Sequence, residues 1–239
     1  MMYSNAVALS SEQHSDLTIS PSPNGFRFAA DLLTVMLVTT EFYDAGRQFP
    51  IIFTILPDNT VQPVALLGFE EGENLFVDED GKWNGRYIPA YLRRYPFITT
   101  DESEDGQAVV CFDESFDGFN LEGGLSLFED GEPTPKTVEI QGFLQGYLQQ
   151  LKQTREFGAM LLEKDLLREI SAQASLVDGR TYGLNGMHVV DEQKLAELSE
   201  EDIIPMFKSG ALSLIYAHLL SLRNLQELVE RKGTRTTAE

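Results

Sequence analysis

The stretch that most limits the fold, residues 72–97, carries an aromatic repeat that prolines interrupt. The repeat places one aromatic residue at every fourth position: Trp83, Tyr87, Tyr91 and Tyr95. This spacing is close to the 3.6-residue period of an α-helix, so one helical face could carry all four rings. Pro89 and Pro96 forbid a continuous helix, because proline lacks a donor and clashes with the preceding turn. We therefore expect at most one helical turn, over residues 89–93, with extended chain on either side.

A tight hairpin is predicted near the start of this stretch. Leu75, Phe76 and Val77 form an apolar run typical of a strand, and Asp80-Gly81 follows it. Asp-Gly is favoured in two-residue hairpin loops because glycine adopts the positive φ angles that these loops require. We therefore expect the chain to reverse direction at Gly81.

Two adjacent arginines, Arg93 and Arg94, follow within the same repeat. Guanidinium groups stack on aromatic rings or bind a carboxylate through two hydrogen bonds. One interpretation is that the rings fill the core and the arginines pair with acidic residues of the same chain. The other is a binding surface for a carboxylate-bearing or aromatic partner, because Tyr, Trp and Arg dominate binding energies at interfaces. The candidate binding residues, here called the aromatic/arginine block, are Trp83, Tyr87, Tyr91, Arg93, Arg94 and Tyr95.

The rest of the sequence predicts an α+β fold with a mainly antiparallel sheet. Short apolar or β-branched runs that are separated by turns indicate antiparallel strands. The predicted strands cover residues 34–40, 51–56, 61–69, 108–113 and 125–128. Two extended segments between residues 166 and 190 flank Asp178-Gly179, which is a second hairpin signal.

Three helices complete the predicted fold. The first begins at residues 134–136, where a proline in the first turn loses no hydrogen bond, and continues towards Leu162. A short helix covers residues 191–198, and the strongest amphipathic helix covers residues 209–231. We expect the mid-chain helix and the long C-terminal helix to cover the sheet of a single domain. The predicted division of the chain is an N-terminal arm at 1–25, the domain at 26–231 and a frayed tail at 232–239.

The chain is strongly acidic, with 38 Asp and Glu against 18 Lys and Arg and a formal net charge of -20. Nucleic acids and anionic membranes bind clustered Lys and Arg, so neither is an expected partner. A calcium loop that begins at Asp78 is excluded, because its sixth position would be Trp83 instead of Gly and its twelfth Pro89 instead of Glu. We expect the acidic residues to be solvated, and we expect no metal and no cofactor.

The sequence predicts a protein that does not insert into membranes. The N-terminal segment lacks the basic leader and apolar core of a secretory signal, and no run approaches the roughly 20 apolar residues of a membrane-spanning helix. Cys111, the one cysteine, cannot form an internal disulfide and stands in an apolar run that predicts a buried thiol. We expect a cytoplasmic location, although leaderless export to the cell surface is compatible with the same sequence.

The sequence contains no recognisable catalytic motif. It has no phosphate-binding loop, no GxSxG nucleophile elbow and no HExxH or CxxC arrangement. The three histidines, His14, His188 and His218, are far apart in sequence. Structural roles are expected for His188 and His218, whereas His14 in the N-terminal arm is a candidate pocket residue.

Several sequence runs together resemble the SapC family of bacterial proteins. The central run is GENLFVDEDGKW…YIPAYLRRYPF, with EF…A…FPIIF before it and CFDE and LFEDGEP after it. His14 with Leu17, and the late segments LNGMHVVDEQKLAELS and SGALSLIYAHLLSLRNL, extend the resemblance over most of the chain. The family is named for a protein linked to paracrystalline bacterial surface layers, and it has no established catalytic residues. The resemblance therefore implies an association with the surface layer but no particular reaction.

Two functions are compatible with these observations. The first is a soluble, non-enzymatic interaction or assembly protein that contacts a protein partner through the aromatic/arginine block. The alternative is an enzyme or accessory subunit that binds a small acidic or aromatic molecule in a polar pocket, held by Arg93 or Arg94. The missing catalytic motif favours the first, while the identity of the partner and the oligomeric state stay open.

Overall fold

The computed structural model of the protein describes residues 2–100, 109–175 and 179–238. The strands are β1 (Ala6–Ala8), β2 (Thr18–Ile19), β3 (Thr34–Met36), β4 (Ile51–Ile55), β5 (Val61–Leu66), β6 (Phe97–Thr99), β7 (Val110–Asp113), β8 (Leu125–Ser126), β9 (Phe128–Glu129), β10 (Glu132–Pro133), β11 (Leu167–Ser175) and β12 (Thr181–Val190). The α-helices are α1 (Phe42–Ala45), α2 (Ala90–Arg93), α3 (Pro135–Glu163), α4 (Glu192–Ala196), α5 (Glu200–Ser209), α6 (Ala211–Ser221) and α7 (Asn224–Ala238). All strand pairs in these residues are antiparallel, and the α+β fold class is confirmed.

Two compact units share the chain, and each is assembled from three separate segments. The first unit comprises Met1–Ala29, Val77–Trp83 and Ala90–Gln149, and the second comprises Ala30–Phe76, Asn84–Pro89 and Gln150–Glu239. The domain limits expected at residues 25 and 231 stay a prediction.

The second unit is built on a five-stranded sheet in the order β11-β12-β4-β5-β3. The hairpin β4–β5 lies near its centre and pairs Phe53 with Pro63. The first three residues of β4 are buried, as expected for an apolar run in a central strand. The strands predicted at 34–40, 51–56 and 61–69 are thus present as β3, β4 and β5, and each ends earlier than predicted.

The second hairpin signal is also confirmed. β11 and β12 pair from Leu167 opposite Val190 to Ser175 opposite Thr181. Asp178 lies outside the described residues, whereas Gly179 has the positive φ, 87°, that an Asp-Gly turn predicts.

A buried histidine joins two strands of this sheet where their own pairing is sparse. β4 and β12 share one register pair, Phe53 with His188. Beside it, Nδ1 of His218 lies 2.8 Å from the Ile51 carbonyl oxygen, and Nε2 accepts from the Val190 amide at 3.1 Å. Because Nε2 accepts a hydrogen bond, Nδ1 carries the proton and donates. Burial lowers the pKa of His218 to about 4, so the ring is neutral at pH 7.

The C-terminal helical region differs from the sequence prediction in two ways. A break at residues 222–223 divides the helix expected at 209–231 into α6 and α7. α7 then continues through the region where a frayed tail was expected. Lys232 is buried there, and its Nζ lies 2.6 Å from a Glu70 carboxylate oxygen and 2.5 Å from a Glu73 carboxylate oxygen. These carboxylates neutralise the ammonium group, which allows the polar end of the helix to pack.

No single helix in the described part of the chain is long and apolar enough to cross a bilayer. One bent pair, Glu200–Ser209 with Ala211–Arg235, meets the length and composition criteria when its members are taken together, with 83° between them.

The first unit has a smaller sheet in the order β1-β7-β6 and an aromatic core. The buried members of this core are Phe97, Phe112, Leu127, Phe128 and Leu144. Leu144 comes from α3, and Pro135 stands in the first turn of this helix as the sequence predicts. β1 pairs with β7, so residues 6–8 of the expected arm form an edge strand of this sheet.

The hairpin predicted around Gly81 is only partly correct. Gly81 has the expected positive φ, 79°, but Val77 and Trp83 form an isolated bridge with no ladder in the described residues. The Asp78 carboxylate organises the loop by accepting from the amides two and four residues later, at 3.1 and 2.8 Å. The predicted strand pair is therefore a turn in which a side chain accepts from two backbone amides, while the Gly81 and Asp78 amides donate to backbone carbonyls.

Candidate functional site

Trp83, the single tryptophan of the sequence, lies in the interior of the first unit. Its side chain is 8% exposed, and its ring centroid is 5.6 Å from that of Phe26. A large ring in this position stabilises the unit mainly through its burial. The first of the predicted binding residues is therefore available to a partner only indirectly, through its neighbour Phe26.

The predicted single helical turn is present as α2. The Arg94 amide donates to the Ala90 carbonyl at 3.0 Å, and the Tyr95 amide donates to the Leu92 carbonyl at 3.2 Å. Successive residues of a helical turn point in directions about 100° apart. This geometry gives Arg93 and Arg94 different surroundings.

Arg94 is surrounded by tyrosine rings. Its guanidinium carbon lies 4.4 Å from the ring centroid of Tyr91, 5.1 Å from that of Tyr147 and 5.8 Å from that of Tyr3. Among the described residues no carboxylate is within ion-pair distance of Arg94, and its Nε is buried without a hydrogen-bond partner. Burial raises the pKa of Tyr3 well above its usual value, although the charge of Arg94 acts in the opposite direction. Cation–π contacts thus take the place of the expected acidic partners.

Arg93 is exposed, and its guanidinium carbon lies 5.4 Å from the ring centroid of Phe143 on α3. With Tyr95, it lines a groove of about 530 Å³ on the first unit, here called the aromatic groove. This volume is within the range of small-molecule sites. The side chains that form most of the apolar wall are Phe26, Phe28, Leu92, Phe116, Leu125 and Ile140.

The rings beside Tyr95 form a continuous aromatic wall. Phe28 stacks on Tyr95 with a centroid distance of 4.2 Å, and Phe116 meets Tyr95 edge to face at 5.5 Å. Phe26 and Phe28 are 5.7 Å apart. Offset and edge-to-face arrangements of this kind are the favourable geometries for aromatic rings, and an additional ring could join them.

The charged residues that line the described part of the aromatic groove are both cations, Arg93 and Lys136. Lys136, Ile140 and Phe143 are spaced four and three residues apart, so they share one face of α3. Lys136 Nζ also lies 3.2 Å from a Glu139 carboxylate oxygen on the protein surface. The charged residues of the described lining are therefore both basic in a chain with a formal charge of -20, and one of them is paired with an acidic residue.

The Tyr95 hydroxyl is close to a strongly hydrogen-bonded carboxylate. It lies 3.5 Å from Asp113, which accepts from the Ser4 amide at 2.8 Å, the Asn5 amide at 3.1 Å and the Ser115 hydroxyl at 2.7 Å. Burial acts to raise the pKa of Asp113, but these donors outweigh it and hold the pKa below its usual value. Burial and the charge of Asp113 raise the pKa of Tyr95 to about 12. The phenol is therefore neutral at physiological pH.

Tyr87 belongs to the second unit and is separate from the rest of the block. Its hydroxyl donates to the Glu41 carboxylate at 2.7 Å, and its amide donates to the Gln48 side-chain oxygen at 3.1 Å. Both partners are buried. These hydrogen bonds fix the segment Asn84–Pro89 within the second unit.

His14 lines a different cavity of the first unit. Its Nδ1 accepts from the Ser10 amide at 3.1 Å, and its ring meets Phe112 edge to face at 4.9 Å. The cavity measures about 520 Å³ and includes the carboxylates of Asp16 and Glu114. The structure therefore does not bring His14 together with Arg93 and Tyr95.

A search of the described residues finds no group of three or more His, Cys, Asp or Glu side chains that could hold a metal ion. The carboxylate of Asp78, which begins the sequence run tested as a calcium loop, is occupied by backbone amides. The expectation of no metal and no cofactor stays a prediction.

The family model described as SapC matches residues 9–228, which is most of the chain. The chain belongs to the SapC family. A search of curated proteins and a search of solved structures each returned no match. Family membership therefore identifies the relatives of this SapC protein without assigning it an activity.

Part of the SapC resemblance falls on residues in or beside the aromatic groove. The run YIPAYLRRYPF supplies α2, Arg93 and Tyr95, and CFDE supplies β7 with Asp113. Sequence reasoning missed Phe28, Phe116 and Lys136, which complete the groove with Tyr95 and Arg93. Their aromatic and cationic side chains were visible in the sequence, but no local pattern predicts that they meet.

Proposed function

We propose that this SapC-family protein is a non-enzymatic binding protein and that the aromatic groove is where it holds its partner. The observation that carries the proposal is the position of Arg93 and Tyr95. These are the two members of the aromatic/arginine block that line an open, mainly apolar groove of ligand size. The other members of the block, Trp83, Tyr87, Tyr91 and Arg94, are not part of the described lining of this groove.

The chemistry of the groove supports binding in preference to catalysis. A phenol with a pKa of about 12, such as Tyr95, is a weak acid and base at neutral pH. Several hydrogen-bond donors favour the ionised form of Asp113, and the same hydrogen bonds hold the surrounding loop in place. An apolar wall with a few charged groups at its edge is typical of sites that bind small molecules.

The groove also supports part of the alternative function. A small acidic or aromatic molecule fits its size and lining, as does one side chain of a protein partner. A cytoplasmic location and a role in surface-layer assembly remain part of this proposal, and they rest on the sequence and on the family name.

Trp83 provides a built-in reporter for occupancy of the groove, because it contacts the groove residue Phe26 at 5.6 Å. N-phenyl-1-naphthylamine is a neutral apolar dye whose absorption overlaps tryptophan emission. Excitation of Trp83 should therefore produce energy transfer to the bound dye, and a titration gives the dissociation constant.

The variant Leu125→Asp introduces a carboxylate into the groove wall at a position that is 59% exposed, so the fold should tolerate it. We expect it to weaken dye binding at least about tenfold, because an apolar ligand would desolvate the new charge. Val138→Asp is the matched control, since Val138 is 57% exposed and does not line the groove. Equal dye affinities in both variants would refute the proposed binding site.

A further inference from the structure

We infer that the second unit contains a carbohydrate-binding pocket, which holds a neutral sugar between Tyr43, Glu156 and Ser213. The pocket measures about 590 Å³, a volume within the range of small-molecule sites. It is separate from the aromatic groove, because all of its described lining residues belong to the second unit. The inference therefore goes beyond the proposed function and concerns another site with another class of ligand.

One face of α3 forms the first side of the pocket. The lining residues of α3 are Gln153, Glu156, Phe157 and Met160, and their spacing places them on the same face of the helix. Phe157 is buried, and its ring meets that of Phe42 edge to face at a centroid distance of 5.9 Å. This side is thus anchored in the core of the unit, so a ligand does not have to order it.

The second side carries an aromatic ring that is open to solvent. Tyr43 on α1 lines the pocket and is 57% exposed. Its neighbour in the lining, Thr39, donates its amide to Thr154 Oγ1 on α3 at 2.9 Å, which fixes the second side to the first. An exposed ring beside polar groups suits a sugar, because a pyranose has apolar C–H faces as well as hydroxyl groups.

The polar groups of the lining are mainly hydrogen-bond acceptors. In the turn between α5 and α6, the Ser213 hydroxyl donates to the Gly210 carbonyl at 2.7 Å, and the Ser209 hydroxyl donates to the Met206 carbonyl at 3.2 Å. Each hydroxyl can therefore only accept from a ligand. The Glu156 carboxylate is also an acceptor, and it makes no hydrogen bond or ion pair within the described part of the chain.

This lining discriminates between classes of ligand. Glu156 is the one charged side chain of the described lining, so a ligand with a carboxylate or phosphate group would meet a like charge. A wholly apolar ligand would desolvate the acceptors without pairing them. A neutral sugar supplies several hydroxyl donors to the acceptors and an apolar face to Tyr43, so it matches both parts of the lining.

Met160 provides a reporter inside the pocket. Protein that carries 13C-methyl methionine gives NMR signals from its six methionines, and Met160→Leu identifies the signal of Met160. The probes are the methyl glycosides of glucose, galactose and mannose. We expect at least one of them to shift the Met160 signal saturably, with a dissociation constant in the millimolar range. If none of these glycosides shifts it, the inference is wrong.

Two relatives of the bound glycoside test its chemistry. The corresponding methyl uronide carries a carboxylate in place of the hydroxymethyl group and should bind at least about fivefold more weakly. Cyclohexylmethanol has a ring of the same size with one hydroxyl group and should also be at least about fivefold weaker. Equal binding of the uronide would overturn the role of Glu156, and equal binding of cyclohexylmethanol would overturn the assignment to a sugar.

Two variants with matched controls test the site. Tyr43→Ala should weaken binding of the glycoside at least about threefold, whereas Tyr216→Ala should not, because Tyr216 is 55% exposed and does not line the pocket. Glu156→Gln should reduce the preference for the glycoside over its uronide, and Glu163→Gln, on the exposed surface of α3, should leave it unchanged. Equal effects of a variant and its control would refute the pocket. The dye titration reports on the aromatic groove alone, so failure of either site is distinguishable from failure of the other.

Discussion

Replacing His218 by asparagine distinguishes two contributions of this residue to stability: the hydrogen bonds it makes, and the change of its charge with pH. The amide nitrogen of asparagine can take the place of imidazole Nδ1 and donate to the Ile51 carbonyl, which now lies 2.8 Å from Nδ1. The Val190 amide would lose its acceptor. A buried donor left without a partner costs about 1–3 kcal/mol. At pH 7.5 we therefore expect His218→Asn to lower the free energy of unfolding by about that amount.

Lowering the pH should reduce the difference in unfolding free energy between the wild-type protein and His218→Asn. The pKa of His218 is about 4 in the folded protein against a reference value of 6.5, so the unfolded chain takes up the proton first and acid favours unfolding. Between pH 7.5 and 5.0 the wild-type protein should lose about 2 kcal/mol through this one group. The variant lacks this titration, and the ionisable groups that both proteins share cancel in the comparison.

Urea unfolding, followed by circular dichroism at both pH values, gives the four free energies that the comparison needs. The lower pH is still above the isoelectric point of about 4.4, so both proteins retain net negative charge. In the wild-type protein, the His218 ring proton should also keep its neutral chemical shift at pH 5.5. The reasoning is refuted if the stability difference between the proteins is the same at pH 7.5 and 5.0, or if it widens in acid.

Two further predictions concern packing elsewhere. Lys232→Met should lower the free energy of unfolding by roughly 2–3 kcal/mol, because it leaves two carboxylates without their shared cation. A decrease below about 0.5 kcal/mol would contradict this prediction, because it would mean that Lys232 contributes no more than an exposed surface ion pair does. Gly81→Ala and Gly131→Ala form a matched pair with φ angles of 79° and 82°. A Cβ would lie 2.1 Å from the Asn24 carbonyl oxygen at Gly81 but meet nothing within 4 Å at Gly131. Gly81→Ala should therefore melt well below Gly131→Ala, which carries only the backbone strain of about 1–2 kcal/mol, and equal melting temperatures would contradict this.

Local sequence signals predicted the elements that depend on local physics. The Asp-Gly pair at 178–179 gave a long hairpin, and the prolines at 89 and 96 confined the helix to α2. The Asp-Gly pair at 80–81 gave a turn with one isolated bridge, in which the Asp78 carboxylate accepts from the Asp80 and Lys82 amides. Side-chain competition of this kind depends on orientation, which the dipeptide does not specify.

The candidate site could be predicted only in part. The regular spacing of Trp83, Tyr87, Tyr91 and Tyr95 suggested one shared surface, yet Tyr87 belongs to the second unit and the other three to the first. A spacing of four has meaning only along a helix, and this helix has a single turn. The groove residue Phe28 and the partners of Lys232 are remote in sequence from what they contact, so periodicity contains no information about them.

The link from His218 to Ile51 has a consequence for synthesis, because the two residues are 167 positions apart. At 5–20 residues per second, β4 leaves the ribosome about 8–30 s before the helix that completes its contacts. During that interval one edge of an apolar strand has neither β12 nor His218 beside it. Such an edge is a template for pairing with other chains. A nascent chain that stalls before Val190 therefore presents an unpaired edge of β4 to other chains.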